Sequence, residues 1–274
     1  MKIWFVTGAS RGFGSLVTEY ALTRGDAVAA TARNPKRLTN RLGDHPHLLV
    51  VALDVTDEAQ ARDAAAAALA RFGRIDVLLN NAGFGLLGAV EETTAAEVEA
   101  VYRTNVFGLL NVTRAVLPYM RKARSGRILN VSSIGGYRGA AGFGVYSSTK
   151  FAVEGLSEAL HAELAPLGIH VTVVEPGYFR TDFLDASSLA VSPSVIADYE
   201  ETAGKVRRLA TGLSHNQPGD PSKLAKVLVA LVDVPNPPIR LPLGSDTVAA
   251  IEAKHASDAA IVAAWRDTAV STDF

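Results

Sequence analysis

Tyr146 and Lys150 stand four positions apart in Tyr146-Ser147-Ser148-Thr149-Lys150, a spacing that on a helix sets the ammonium one turn beyond the phenol. Of the 7 tyrosines in the chain, Tyr146 alone has a lysine at that spacing. A free phenol ionises near pH ~10 and is a poor base at neutral pH, whereas an adjacent ammonium favours the phenolate and lowers that value. The pair therefore suits proton exchange with an oxygen that alternates between carbonyl and alcohol. Ser133 precedes Tyr146 by 13 positions (146 − 133), and its hydroxyl suits hydrogen bonding to the same oxygen as charge develops there. The chemistry that these types perform together is carbonyl reduction, or its reverse, with the phenol carrying the proton.

Hydride needs a carrier, and the chain begins with a turn suited to a dinucleotide. Ile3–Val6 reads as a strand that ends in Thr7-Gly8-Ala9-Ser10-Arg11-Gly12-Phe13-Gly14 and continues into a helix over Ser15–Arg24. Glycines at such a junction let backbone N–H groups approach a pyrophosphate, which the helix dipole then stabilises. The plainer reading is a tight βα turn that is merely rich in glycine. The same residues contain Gly8-Ala9-Ser10-Arg11-Gly12, the GxSxG pattern of a hydrolase nucleophile elbow. Such an elbow needs an earlier strand and loop for half of its oxyanion hole, and seven residues precede Gly8, so an esterase stands as an alternative only. Farther along, Asn80-Asn81-Ala82-Gly83 places amides and a glycine at the carboxyl edge of a strand, where ligands of doubly wound sheets bind.

Composition narrows the chemistry further. The 274 residues include no Cys, which excludes disulfides, thiolate nucleophiles and Cys-held metal. The 6 histidines show no HExxH pair, so no metal site is expected. Basic and acidic residues number 27 and 28 and are interspersed, which gives no basic face for nucleic acid or anionic lipid. Arg121-Lys122-Ala123-Arg124 and Arg207-Arg208 read as solvated helix ends. No apolar run approaches the length of a membrane span, and a cytoplasmic location is expected.

These residues require a scaffold, and the apolar runs describe one. Ile3–Val6, Ala27–Ala30, Leu48–Leu53, Val77–Leu79, Arg127–Val131 and Val171–Val174 are short, continuous and separated by helical patterns. Continuous apolar strands imply burial on both faces, and their alternation with helices predicts α/β, a single Rossmann-type doubly wound parallel sheet with helices on both faces. Thr56 before Asp57 and Glu58 reads as a helix cap, Thr94 with Glu97 as a capping box, and Asp220-Pro221 as a further helix start. The Ala64–Ala68 run reads as a helix packed closely on the sheet. One long helix is expected over Ala95–Met120, carrying Asn105, and another over Phe151–Ala165. The chain is read as one domain, with a substrate-loop insertion at about 178–219 and a C-terminal helical extension at about 245–274.

Taken together, TGxxxGxG, NNAG, a helix Asn, Ser followed by YxxxK, and the PGxxxT of Pro176, Gly177 and Thr181 resemble the short-chain dehydrogenase/reductase family in their order. The C-terminal extension resembles its hydroxysteroid- and retinol-dehydrogenase-like branch. The resemblance implies a catalytic set of Asn105, Ser133, Tyr146 and Lys150, with Lys150 also holding a ribose and Asn105 joining it to a proton-carrying water. It implies a pyrophosphate turn of Gly8, Gly12 and Gly14, joined by Ser10, Arg11 and Phe13. Asp54 would contact adenine, Asn81, Ala82 and Gly83 would line the cofactor, and Pro176, Gly177 and Thr181 would hold its nicotinamide end. Ala32 stands where NAD-preferring relatives carry an acid, and Arg33 and Arg11 would fork onto a 2′-phosphate, so the expected cofactor is NADP(H). A small-molecule carbonyl or alcohol is the expected substrate, with a homodimer formed through the helices of 95–120 and 151–165. Expected pocket residues are Phe84, Leu86, Leu87, Gly135, Gly136, Tyr137, Phe143, Tyr178, Phe179 and Phe183, which favour an apolar ketone. A catalytically silent NADP(H)-binding sensor on the same fold is the other alternative, against which the intact Ser133, Tyr146 and Lys150 speak.

Overall fold

The computed structural model describes residues Met1 to Phe274. Its strands are β1 (Ile3–Val6), β2 (Ala27–Ala32), β3 (Leu48–Ala52), β4 (Val77–Asn80), β5 (Gly85–Leu87), β6 (Gly126–Val131), β7 (Ile169–Pro176), β8 (Leu189–Val191) and β9 (Arg240–Leu243). Its α-helices are α1 (Gly12–Thr23), α2 (Pro35–Leu42), α3 (Glu58–Phe72), α4 (Ala95–Tyr102), α5 (Leu109–Ala123), α6 (Gly144–Leu164), α7 (Lys205–Leu213), α8 (Pro221–Leu231) and α9 (Ser245–Val270). Seven strands form one parallel sheet in the order β3-β2-β1-β4-β6-β7-β9; six of them coincide with the apolar runs, and β9 is the seventh.

Every residue of β1 and β2 is buried, because alternate side chains enter two different cores. Trp4, Val6 and Val28 pack on one face against Val17 and Ala21 of α1 and Leu224 and Leu228 of α8. Phe5, Ala29 and Leu78 pack on the other against Ala61, Ala64, Ala65 and Ala68 of α3 and Val112 and Val116 of α5. The alanine run does what its sequence suggests: small side chains let α3 lie close on the sheet. Each fully buried large side chain here contributes roughly 1.5–3 kcal/mol.

The chain winds outward from β1 on one side and from β4 on the other, so a crevice opens where their carboxyl ends diverge. Side chains hold that crevice in shape. Thr7 Oγ1 accepts from the backbone N–H of Asn81 at 2.9 Å and of Ala82 at 3.0 Å. Asn81 Nδ2 returns two bonds, to the carbonyls of Thr7 and Gly8.

Thr94 and Glu97 form the expected capping box, and Asp220 caps α8 ahead of Pro221. For α3 the cap is Asp57 and not Thr56: its carboxylate accepts from the N–H groups of Ala59 and Gln60, while the Thr56 hydroxyl turns back to Asp54. The expected long helix is interrupted. Between α4 and α5 lies a π-helical turn, Arg103–Gly108, where Asn105 Oδ1 accepts from Phe84 N–H at 3.0 Å and Nδ2 donates to Phe84 O at 2.9 Å. A widened turn accommodates a side chain that bonds outside its own helix.

The 178–219 segment holds β8 and α7, and a bridge between Phe179 and Gly219 joins its ends. β8 pairs in parallel with β5, so Gly85 through Leu87 form a second, two-stranded sheet with Leu189 through Val191. Arg207 departs from the expected solvated helix end. It reaches from α7 to the fully buried Glu92 carboxylate and anchors the segment to the body. In α9, which falls within the expected 245–274 extension, only Thr247 is buried.

Candidate active site

The carboxyl ends of β1, β4, β6 and β7 surround a cavity of about 970 Å³. Its first half is built by the glycine turn. Gly8 and Gly12 have φ of +64° and +54°, left-handed values that glycine adopts without strain. A Cβ on Gly12 would meet nothing nearer than Thr181 Cβ at 4.0 Å, so the turn faces open space. Arg11 at the N-cap of α1 makes no side-chain cap, which leaves the first-turn N–H groups free to hold an anion. Ser10, Phe13, Asp54, Asn81, Ala82, Gly83, Pro176, Gly177 and Thr181 also line the cavity.

Gly14, expected in the pyrophosphate turn, packs behind Gly8 and is not among the cavity's lining residues. A Cβ there would stand 2.5 Å from the Gly8 carbonyl oxygen and 2.6 Å from Asn81 Nδ2, so its role is close packing of helix on turn. Asn105 does not line the cavity either. It is buried behind Gly83 and bonds Phe84 and Thr149 Oγ1.

At the far end Arg11 and Arg33 are joined by Arg37 and Asn34, which sequence reasoning missed. Arg37 is in the first turn of α2, whose start was legible in Asn34-Pro35, with Asn34 accepting from Lys36 N–H. Burial holds the Arg11 guanidinium below its usual pKa, Asp182 opposing and the like charges of Arg33 and Arg37 adding to the shift, while its Nη2 donates to Ser187 O. Neither Arg33 nor Arg37 has a carboxylate partner. Three convergent guanidiniums beside a helix N-terminus and an open glycine turn form a donor set that fits a dinucleotide with an additional phosphate.

In the second half, Tyr146 occupies the first turn of α6, buried between two rings. Phe143 lies 6.0 Å from it at 66° between planes, and Phe183 5.7 Å at 53°. Burial pushes the phenol well above its usual range, and the Ser133 hydroxyl beside it pulls only partly back. The Lys150 ammonium is 5.8 Å from the ring centroid and donates to Val131 O at 2.9 Å. The expected lowering of the phenol by Lys150 does not appear among the influences on Tyr146, where desolvation dominates and Tyr178 adds to the rise. Lys150, itself 6% exposed, is lowered by burial to about 8, with the Glu154 carboxylate opposing that shift.

Phe84, Phe143, Phe183, Leu184 and Leu189 give this half its apolar wall. Gly135, Tyr178 and Phe179 line it as expected, but Leu86 and Leu87 do not, because β5 turns both into the interior. Gly136 and Tyr137 are also absent from the wall. Gly136 packs on Ser132 and Glu154, and the Tyr137 ring lies under Arg240 and bonds His255. The wall is completed by Asp246, Ala249, Ala250 and Ala253 of α9, a helix that sequence reasoning did not place here. Small residues at 249, 250 and 253 on one helical face are the signal that pointed to a close approach. None of the histidines lines the cavity, so Ser10 has no imidazole base there.

A family model described as short chain dehydrogenase matches residues 2–191. The chain belongs to the short-chain dehydrogenase/reductase family. It is 41% identical over 277 residues to Oxidoreductase BOA17 of Botryotinia fuckeliana, covering 99% of each chain. It is 40% identical over 243 residues to the 3-ketodihydrosphingosine reductase of Bacteroides thetaiotaomicron, covering 89% of this chain and 88% of that one. The crystal structure of a short-chain dehydrogenase from Streptomyces avermitilis superimposes with a TM-score of 0.92 at 42% identity over 100% of both chains. A serine dehydrogenase complexed with NADP+ matches at TM-score 0.74 and 29% identity, covering 88% of this chain and 94% of the other. A 3-ketoacyl-(acyl-carrier-protein) reductase from Brucella melitensis complexed with NADH matches at 0.73 and 26%, covering 88% and 96%. This short-chain dehydrogenase/reductase is accordingly an oxidoreductase acting with a nicotinamide dinucleotide on a small molecule.

Proposed function

We propose that the protein reduces an apolar ketone with NADPH, Tyr146 delivering the proton. The observation that carries this reading is the buried Tyr146 phenol beside Ser133 on an apolar wall, continuous with the glycine turn and the three arginines. The bound dinucleotide would supply a hydride. The chain's own residues do the rest. Phe84, Phe143, Phe183 and Leu189 exclude water from the carbonyl, and Ser133 hydrogen-bonds its oxygen. Tyr146 donates as charge develops on that oxygen, and the Lys150 ammonium stabilises the phenolate that remains. Gly8 and Gly12 with the first turn of α1 would hold the pyrophosphate, while Asp54, Asn81 to Gly83 and Pro176 to Thr181 would hold the adenine and nicotinamide ends. Arg11, Arg33 and Arg37 would hold a 2′-phosphate, and Ala32 presents no carboxylate to repel it.

Burial of the phenol favours its protonated form, which is the form that the reductive direction uses. The 3-keto compound named for the Bacteroides relative supports the same direction. The reading includes a cytoplasmic homodimer and a single catalytic domain. Phe107 and Phe151, 53% and 45% exposed within the π-helical turn and on α6, support pairing through these helices.

Tyr146→Phe is the direct test. The ring still packs between Phe143 and Phe183, so NADPH affinity by fluorescence titration should be unchanged, while turnover falls roughly 10²- to 10⁴-fold. Near-wild-type turnover in that variant would overturn the mechanism.

A further inference from the structure

Directly behind Lys150 lies a group of buried charges that this mechanism does not use. Glu154 is one helical turn beyond Lys150 on α6, and its side chain is 5% exposed. Glu175, on β7, is fully buried. Both accept from the same nitrogen of Arg240, Glu175 at 2.8 Å, while the other Arg240 nitrogen serves the exposed Glu158 at 2.7 Å. Each buried carboxyl retains one oxygen, Glu154 Oε1 and Glu175 Oε2, with no partner. Ser132 Oγ and Glu154 Oε1 converge on Gly136, where a Cβ would meet them at 2.4 Å and 2.9 Å. The Tyr137 ring covers Arg240, whose guanidinium carbon is 5.4 Å from its centroid, and His255 of α9 bonds the Tyr137 hydroxyl.

Two carboxylates in one dry site repel each other, and one guanidinium already shared with a third cannot neutralise both. A single proton between them relieves the repulsion and gives an orphaned oxygen a partner. We propose that Glu154 and Glu175 share one proton, and that Glu154 is a positioning residue which, once that proton leaves, holds Lys150 in its ammonium form during turnover. This rests on the reading of Lys150 as the cation that stabilises the Tyr146 phenolate.

The charges facing the pair agree with it. Burial, above all, drives Glu154 up to about 7, Glu175 adds to the rise, and Ser132 and Arg240 oppose it. Lys150 is lowered by burial to about 8, and Glu154 is the neighbour that raises it. The remaining facing groups are Glu158 from α6, Arg240 from β9, Tyr137 from the loop before α6 and His255 from α9. Around neutral pH the pair loses its proton and presents a carboxylate to Lys150 just below the pH at which Lys150 would lose its own. The lysine is thereby kept charged over a wider range.

Two measurements test this. Carboxyl-carbon NMR of the cofactor-free protein labelled at glutamate should show one glutamate titrating near pH 7, and that titration should be absent from both Glu154→Gln and Glu175→Gln. In the pH profile of ketone-reduction kcat/KM, Glu154→Gln should move the alkaline limb down by about half a pH unit or more. Glu175→Gln, which leaves the Glu154 charge in place, should keep that limb where it is. Glutamates that all titrate in the ordinary range, or a Glu154→Gln profile that overlies the wild type, would overturn the proposal. The wild-type titration decides the pair even where a variant fails to fold. A protein that reduced no carbonyl would refute the functional reading and leave the titration result standing.

Discussion

At the scale of single residues, the chemistry is an arrangement of desolvated groups. Burial beside the rings of Phe143 and Phe183 pushes the Tyr146 phenol up, and burial also lowers Lys150 to about 8. Reduction should therefore hold steady up to about pH 8 and decline above it, as Lys150 loses the proton that stabilises the phenolate left behind. The sign follows from a lysine whose pKa in the folded chain is depressed: the charged form is present below about 8 and is lost as the pH rises through it. Stopped-flow reduction across pH 6–10 reads this, and a rate that climbed above pH 9 would contradict it. At the opposite end of the cavity, Arg33→Ala should weaken NADPH binding about tenfold while barely changing NADH, because one charge-assisted contact contributes on the order of 1.5–3 kcal/mol. Titration of both nucleotides measures the difference, and equal losses would remove the phosphate pocket from the account.

At the scale of elements, the legible features were those set by neighbours in sequence. Continuous apolar runs identified the strands, and glycine spacing located the turn between β1 and α1. Ser133, Tyr146 and Lys150 converge because β6 ends immediately before the loop that starts α6. What escaped was set by partners distant in the chain. The pairing of β5 with β8 joins residues about a hundred positions apart, and it turns Leu86 and Leu87 inward although their neighbours Phe84 and Phe183 face the cavity. The π-helical turn at Asn105 depends on the backbone of Phe84, which no helical periodicity reveals. Gly14 was legible as a necessary glycine but not as a packing glycine, since the atoms it must clear belong to Gly8 and Asn81. The placement of α9 has the largest functional consequence. Ala249, Ala250 and Ala253 leave room for a bulky substrate, so Ala250→Phe should raise KM for large ketones severalfold and leave NADPH affinity alone. Unchanged KM across a size series of ketones would show that α9 does not bound the substrate space.

At the scale of the whole molecule, one sheet presents a single crevice where its strand order diverges, and everything with chemical potential gathers there. The arginine-lined end lies over β1 and β2, the end with Ser133, Tyr146 and Lys150 over β6 and α6, and the segment between Tyr178 and Gly219 is tied to the body through Arg207 and the buried Glu92. The two ends differ in charge and in apolar lining, and on the proposed reading that difference separates where a nucleotide would be held from where a carbonyl would be reduced. The most direct test is the consumption of NADPH and of NADH by the purified protein against a panel of ketones graded in size and charge. NADPH turnover at least about tenfold above NADH, highest with bulky uncharged ketones, is the result expected from one phosphate contact and an apolar wall. Preference for NADH, or turnover confined to small charged keto acids, would contradict the account.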